Sequence, residues 1–398
     1  MPEHRVIIAG AGPAGCALAL GLARARVPVL LLEAEAQLPL DLRASTFHPP
    51  TLEMLTTLAL TERMIGMGLV TPHYQYRDRQ SGEAAIFDIG LLADETAYPF
   101  RLQCEQYKLT QLACDDLRGL PDANLRFNHR VLGVEQNACE AVVTVATPAG
   151  PERIAAEYVV GAEGAASPTR KSIGVGYEGF TYPEKFLVVS TPFDVAQALP
   201  GLSNVNYISD PDEWCVALRT RDLWRVLFPT EPDDDETTLL ADASIQARLQ
   251  RLIGRHGPFE VAHRTLYNVH QRVATSYRVG RVLLMGDAAH INNPLGGMGM
   301  NGGLHDAFNL CDKLLQVLRG EAAAELLDRY DRQRRTIALQ FVQQHTIDNK
   351  KLMEARTPEE RRSRQAGFMR TAADPALAKA FLLKNSMIQC LRDAAAIQ

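Results

Sequence analysis

Arg5 to Glu33 reads RVIIAGAGPAGCALALGLARARVPVLLLE, and the assignment of the fold turns on it. The apolar run 5–9 has the continuous pattern of a strand covered on both faces. Gly10-Ala11-Gly12-Pro13-Ala14-Gly15 interrupts it, and the residues that follow, CALALGLARAR, are strongly helical. Val27 to Leu32 is a second buried strand that stops at Glu33. Strand, glycine turn, helix, strand and acid within the first 33 residues form a dinucleotide-binding βαβ unit. Gly10 permits the tight turn, Gly12 lets a pyrophosphate reach the helix N-terminus, and Gly15 lets helix pack on strand. Glu33 is placed to accept from an adenosine ribose hydroxyl. His4, Arg5 and the run to Ala25 imitate a signal peptide, but the glycines divide that run into strand and helix.

A related pattern returns at Arg281–Leu318, RVLLMGDAAHINNPLGGMGMNGGLHDAFNLCDKLLQVL. The strand Val282–Met285 ends in Gly286-Asp287, and a loop holding Pro294 and Gly296, Gly297, Gly299, Gly302 and Gly303 leads into an amphipathic helix. Such glycines let backbone N–H groups approach something flat or anionic, and the lone acid Asp287 suits a hydroxyl-rich ligand. Taken alone, the stretch has a second, less favoured reading as an irregular loop before a helix. Tyr158–Gly161 is a further buried strand, followed by Glu163-Gly164.

Between these elements the pattern changes. FLVVSTPF (186–193), VNYISD (205–210), WCVALRT (214–220) and LWRVLFP (223–229) describe an antiparallel sheet with one solvated or ligand-facing side. Residues 73–97 alternate like strands around Ser81-Gly82, and LRFNHRVLGVEQN with AVVTVATPAG reads as a small meander. Helices are expected near 51–60, 103–117, 238–254, 322–353 and 375–394. Two distant strand–glycine–helix elements flanking a sheet imply an α/β protein whose nucleotide domain (1–72, 98–178 and 270–345) is discontinuous. A second domain (73–97 and 179–269) is inserted into it, and a helical region (346–398) closes the chain.

At 398 residues, 46% of them hydrophobic, the chain can build two cores. A net charge of −5 supplies no basic field, which excludes nucleic acid as an expected partner. The cluster Arg356–Arg364 is diluted by Glu354, Glu359 and Glu360 and reads as a solvated helix face. Seven scattered cysteines with no CxxC spacing indicate neither a disulfide framework nor a metal site, and a cytoplasmic setting is expected. No apolar run is long enough for a membrane span.

Three motifs in order carry a resemblance: Gly10-x-Gly12-x-x-Gly15 with Glu33; Glu163-Gly164-Ala165-Ala166-Ser167-Pro168-Thr169-Arg170; and Gly286-Asp287 with Ala288-Ala289-His290, Pro294 and 296–301. Through them the chain resembles the FAD-dependent aromatic hydroxylases, the para-hydroxybenzoate hydroxylase-like single-component flavoprotein monooxygenases. The resemblance spans most of residues 1–345 and implies a Rossmann-type FAD-binding domain with an inserted substrate domain on an antiparallel or mixed sheet. It implies that Gly10, Gly12, Ala14, Gly15 and Glu33 hold the ADP half of FAD, with Val131 by the adenine. Asp287 would take the ribityl chain, and Gly297, Gly299, Met300 and Asn301 would lie against the isoalloxazine. Arg43 and Gln106 match positions at the flavin phosphate and ribityl region, with Gln103 the rival of Gln106. Glu163 stands where the family carries Asp, which puts its double role toward the pyrophosphate and NAD(P)H in question.

The family's cycle, by the same resemblance, uses NADH or NADPH as transient donor and O2 as co-substrate. It hydroxylates a small phenolic or hydroxy-heteroaromatic, carboxylated substrate through a flavin C4a-hydroperoxide, with Pro294 bordering the reacting position. His290 is a candidate acid–base residue, for which a structural hydrogen bond is the competing reading. Tyr207, Trp214, Arg219 and Tyr267, with His73 and Tyr74, are candidates for the substrate pocket, because aromatics make flat walls and Arg clamps a carboxylate. Each aromatic also fits a core position, and Arg219 also fits a hairpin turn. Two alternatives stand beside this reading. One is a hydroxylase or epoxidase of a larger quinone-precursor or polyketide substrate, in peripheral membrane contact through AFLLKNSMIQCL (380–391). The other is a non-catalytic flavin-binding regulator. The oligomeric expectation is a monomer or homodimer.

Overall fold

The computed structural model describes residues 4–40, 42–355 and 357–398, so Arg356 of the basic cluster lies outside the described residues. Its first sheet orders the strands 278–279, 282–284, 158–161, 6–9, 29–32 and 123–126, all parallel except the first pair. Val6 and Ile8 face the helices Pro13–Arg24, Gln106–Arg118 and Met298–Leu318, and Ile7 and Ala9 face the other way. There Val131, Val134, Val143 and Val145 of the antiparallel meander 130–136, 141–147 and 150–156 cover them. Cover on both sides is why the central strands 6–9, 29–32 and 282–284 are apolar at every position, whereas the edge strands 123–126 and 278–279 carry polar residues.

LRFNHRVLGVEQN does not form one meander strand. Ala123–Arg126 joins the parallel sheet beside Val29–Leu32, Asn128 turns the chain at φ 56°, and Arg130–Gln136 enters the meander. Asn adopts that left-handed conformation more readily than most residues, and this frees the two halves to serve different sheets.

The second sheet has eight strands in the order 290–291, 263–274, 177–191, 224–229, 215–219, 205–209, 73–78 and 84–88. All neighbours are antiparallel except 205–209 with 73–78. Leu187, Val189, Cys215, Ala217, Trp224 and Val226 pack on the helix Asp242–Ile253. Phe186, Val188, Tyr207, Val216 and Leu227 occupy the opposite face. His290–Ile291 pairs with Val273 and Arg272, so the loop after Gly286-Asp287 belongs to the edge of the second sheet as well as to the first unit.

Pro358–Ala373, which the sequence reading treats only as a solvated face, is a full helix opened by a Thr357–Glu360 capping box. Its Phe368 stacks on Tyr76 with ring centroids 3.9 Å apart, and Phe381 of the next helix stacks on Phe87 at 4.4 Å. Leu382, Met387 and Cys390 are fully buried, and Leu382 lies in the cluster of Val188 and Tyr207, so AFLLKNSMIQCL packs against that face of the second sheet rather than offering an apolar face. Among the described residues no helix is long and apolar enough to cross a membrane. Leu382→Ala is expected to cost about 2–5 kcal/mol of stability. The check is a lowered urea midpoint with unchanged bound flavin per chain.

Candidate active site

A cavity of about 1270 Å³ runs from the first glycine turn to the second sheet. At its nucleotide end a Cβ on Gly10 (φ +101°) would strike the Ala162 carbonyl, and one on Gly15 would strike the Gly10 carbonyl. Gly12 meets nothing within 4 Å and borders the cavity. The helix Pro13–Arg24 starts there without a side-chain cap, which leaves its first-turn N–H groups available to an anion. Glu33 also borders the cavity, and its carboxylate already accepts the N–H groups of Ala11 (2.9 Å) and Glu35 (3.0 Å). The acid thus fixes the turn while keeping lone pairs for a further donor. Ala14 and Val131 line the same end.

Glu163 lines the cavity, but its carboxylate is turned into its own motif. It accepts from Ser167 Oγ at 2.7 Å, from the Thr169 N–H at 3.1 Å and from the Thr169 hydroxyl. Burial pushes this carboxyl up, while the two hydroxyls pull it down. The extra methylene lets the acid hold the start of the short helix Pro168–Ser172. The motif's Arg170 donates to the carbonyls of Ala165 (2.7 Å) and Ala288 (2.9 Å) and lies 3.9 Å over the Tyr177 ring. Tyr177 OH in turn donates to the Asp287 carbonyl at 2.9 Å. The second and third motifs are therefore bolted together.

Gly286 turns the strand end at φ +58°, and the Asp287 side chain stands exposed in the cavity. Beneath it lies Asp306, a fully buried residue that sequence reasoning did not single out. Its carboxylate accepts from the Gly286 N–H (3.0 Å), His290 Nε2 (2.8 Å) and Arg334 Nε (2.6 Å). His290 and Arg334 hold that carboxyl down to about 2 against the opposing effect of burial. His290 is spent on this contact, is buried and does not border the cavity, so the acid–base candidacy gives way to the structural reading.

Pro294, Gly297, Gly299 and Met300 border the cavity, and the helix Met298–Leu318 begins at Gly297 (φ +68°) with no side-chain cap. Asn301 does not border it. Its side chain is buried, donates to the carbonyls of Thr46 (2.8 Å) and Gly297 (2.6 Å), and accepts from Thr51 Oγ1 (2.7 Å) and the His48 N–H (3.0 Å). It holds the glycine loop from behind. His48, its ordinary value lowered by burial, pairs through Nε2 with the Gly296 carbonyl at 2.9 Å.

Arg43 and Gln106 line the cavity, whereas Gln103 is buried against Thr46 at 3.1 Å. Tyr207 and Tyr267 form part of the far wall. The other substrate candidates lie elsewhere. His73 is exposed at a strand start, Trp214 is packed edge-on against Phe186 at 5.8 Å, and Tyr74 is core. Arg219 sits 3.9 Å from Asp194 and over Trp224, on the face turned away from the cavity. Strand alternation explains this, because Leu218, paired with Arg225, faces the cavity and Arg219, paired with Trp224, cannot.

Three cavity-lining arginines were missed, Arg101, Arg130 and Arg225. Arg225 donates to Ser45 Oγ (3.1 Å) and to the carbonyls of Arg43 (3.1 Å) and Leu42, so it anchors the segment carrying Arg43. An arginine inside the apolar strand WRVLFP was the available signal.

An open Gly12, uncapped helix starts at both glycine turns, an acid for each polyol and an apolar wall beyond them fit FAD bound in extended form against an aromatic substrate. The fold and site define a FAD-dependent monooxygenase. A family model described as FAD binding domain matches residues 3–345. Para-nitrophenol 4-monooxygenase of Pseudomonas sp. (strain WBC-3) is 33% identical over 387 residues, 95% of this chain and 94% of its own. The 6-hydroxy-3-succinoylpyridine 3-monooxygenase of Pseudomonas putida is 30% identical over 353 residues, 87% and 88% of the two chains. Among solved structures, p-nitrophenol 4-monooxygenase from Pseudomonas putida DLL-E4 superposes with a TM-score of 0.91 at 32% identity, covering 96% of this chain and 98% of that one. A ternary complex of aklavinone-11 hydroxylase with FAD and aklavinone gives 0.79 at 26% identity, covering 89% and 71%. The chain belongs to the FAD-dependent aromatic hydroxylases.

Asp306 carries a pH prediction. Its folded value near 2 lies below the unfolded value of about 4, so its stabilisation is complete above about pH 4 and is lost as pH falls toward 2. Asp306→Asn is expected to lose about 3–5 kcal/mol at neutral pH. It should also show a shallower fall of stability between pH 4 and 2. Denaturant titrations across that range check both.

Proposed function

We propose that this enzyme hydroxylates a small phenolic or hydroxy-heteroaromatic ring, using NADH or NADPH as electron donor and O2 as the oxygen source. One observation carries the proposal: the uncapped helix start at Gly297–Met300 and the apolar wall of the second sheet open into the same cavity. A polar edge that favours negative charge thus adjoins a dry surface shaped for a ring. The relatives named for a nitrophenol and for a hydroxypyridine both act on hydroxylated rings, which supports this substrate class.

FAD, when bound, supplies hydride acceptance and oxygen activation. The chain's own residues bind, orient and exclude water. The first-turn N–H groups after Gly12 and the carboxylate of Glu33 would hold the nucleotide half, and Asp287 would hold the polyol. The N–H groups of Gly299 and Met300, in the uncapped first turn, would offer partial positive charge to a bound flavin edge. Pro294 and the glycines beside it leave room there, and Val188, Val216 and Leu227 keep water from the ring. His48 serves by fixing the Gly296 carbonyl. A small substrate is favoured over a polyketide-sized one, because the helices 358–396 cover the cavity-side face of the second sheet beyond Tyr207 with stacked aromatics.

Purified protein should be yellow, and hydroxylated aromatics should accelerate its NAD(P)H oxidation. The product should carry one labelled oxygen when the reaction runs under labelled O2. Flavin that stays oxidised in the presence of both nucleotides and a panel of phenols and hydroxypyridines sinks the proposal. Asp287→Ala should weaken FAD binding by about 10-fold or more, the cost of a charge-assisted hydrogen bond, read by flavin release on dilution.

A further inference from the structure

Arg101 is 1% exposed, lies in the strand Arg101–Gln103 and borders the cavity. Its guanidinium sits 4.0 Å over the Tyr74 ring, and its one hydrogen bond among the described residues is a long contact from Nη2 to the Asn385 carbonyl at 3.4 Å. Nε is buried with no partner, and among the described residues no carboxylate forms an ion pair with it. Three other buried cations have strong partners: Arg334 has Asp306, Lys350 has Glu184 and Glu354, and Arg225 has a carbonyl cluster and Ser45. Of the rest, Arg170 is held by two carbonyls, Lys313 by Asn309 and Arg361 by a 3.4 Å contact with Gln80, and neither Lys313 nor Arg361 borders the cavity. A guanidinium cannot shed its charge to relieve burial, so an uncompensated one is costly unless an anion meets it.

The surroundings narrow the site. Arg101 lies one strand from Thr46–Phe47, whose chain continues into His48, and His48 grips the Gly296 carbonyl of the glycine loop. Burial lowers His48 and raises the Tyr74 phenol, with Arg101 adding to the first effect and opposing the second, so neither neighbour supplies a charge that competes with the guanidinium. The Tyr74 hydroxyl is also buried without a partner. The wall opposite is apolar, supplied by Val205, Tyr207, Val216 and Leu295.

We propose that Arg101 is the anion anchor of the substrate pocket, and that the enzyme selects aromatic rings bearing a single anionic group, which Arg101 receives. This rests on the substrate site proposed above and gives that site its charge rule. The expected arrangement is one anionic substituent on the guanidinium with the ring against the apolar wall. A neutral ring leaves the cation unpaired, and a dianion leaves a second charge facing valine and leucine. The anionic atom is either the ionised phenol oxygen or a separate carboxylate, and the two are separable by experiment.

Calorimetric titration measures affinity without turnover and without relying on flavin reduction. Two pairs that differ by a charge-masking methyl serve as probes for the FAD-loaded enzyme: 4-nitrophenolate against 4-nitroanisole in alkaline buffer, and 4-hydroxybenzoate against its methyl ester at neutral pH. Wild type should bind the anion of at least one pair more tightly than the neutral partner. Arg101→Met should weaken that anion on the order of 100-fold while leaving the neutral partner equal or tighter, with flavin content unchanged. Loss confined to the nitrophenolate pair assigns the phenol oxygen, and loss confined to the benzoate pair assigns the carboxylate. Equal loss for charged and neutral rings, or no loss, overturns the anchor. If Arg101→Met does not fold, the wild-type comparison decides alone, since no preference for either anion refutes the proposal. Anion binding through Arg101 without turnover would refute the proposed hydroxylation and leave the anchor standing.

Discussion

Asp306 holds three pieces of backbone in one relation. It takes the Gly286 N–H at the end of a parallel strand, His290 at the edge of the second sheet, and Arg334 from the helix Leu326–Ile337. It stands on the helix Met298–Leu318, whose first turn borders the cavity. Burying a carboxylate against a guanidinium gains little net stability, because desolvation offsets most of the attraction. Its effect is positional. Each of its donors belongs to a different element, and an apolar substitute would satisfy none of them. The place of Asp287 relative to the glycine loop therefore depends on a residue that touches neither.

The same device recurs around the cavity with arginine as the hub. Arg170 joins the carbonyls of Ala165 and Ala288, Arg225 joins those of Leu42 and Arg43, and Arg334 adds the Gly302 carbonyl at 3.3 Å to its bond with Asp306. Glycine-rich loops expose carbonyls that no helix or sheet ladder satisfies. A planar fork with five donors reaches several at once, and lysine would reach fewer in any fixed geometry. Loops that must approach a flat ligand closely are kept rigid by cations behind them. Against this background Arg101 stands apart, since it braces no loop of this kind.

The nucleotide unit was legible because its physics is local. Gly10, Gly12 and Gly15 each answer a steric demand within a few residues, and the strands advertise two covered faces by having no polar position. Asp287 was legible for the same reason. Asp306 was not, because a single acid on an amphipathic helix reads as solvent-facing until Arg334 and His290 arrive from distant elements. The helix Pro358–Ala373 was obscured by its own composition. PEERRSRQAGFMRTAA carries few apolar residues, and its place is set largely by Phe368 meeting Tyr76. Among the substrate candidates, Tyr207 and Tyr267 reach the cavity, and Arg219 failed on parity. Period-two alternation separates Leu218 from Arg219 and Trp224 from Arg225, but it does not say which member of each pair looks toward the ligand. That follows only from which side the helix Asp242–Ile253 covers.

Parity also explains how such a fold accommodates different rings. One set of alternate positions, including Leu187, Cys215, Ala217, Val226 and Phe228, closes on the helix Asp242–Ile253 and gives the second sheet a core of its own. The complementary set, including Val188, Val205, Val216, Leu218 and Leu227, faces the cavity. Changing a member of the second set alters the ligand's contacts without opening a void in the first, because successive side chains point to opposite faces. The backbone hydrogen bonds of the sheet are indifferent to either set. Substrate preference can therefore change by single replacements on one face, while the first sheet, its glycines and the Asp306 contacts stay as they are. Arg225 is the exception on the cavity face, since it also supports the segment that carries Arg43. That attachment accounts for a charged residue at a wall position whose neighbours along the face are apolar.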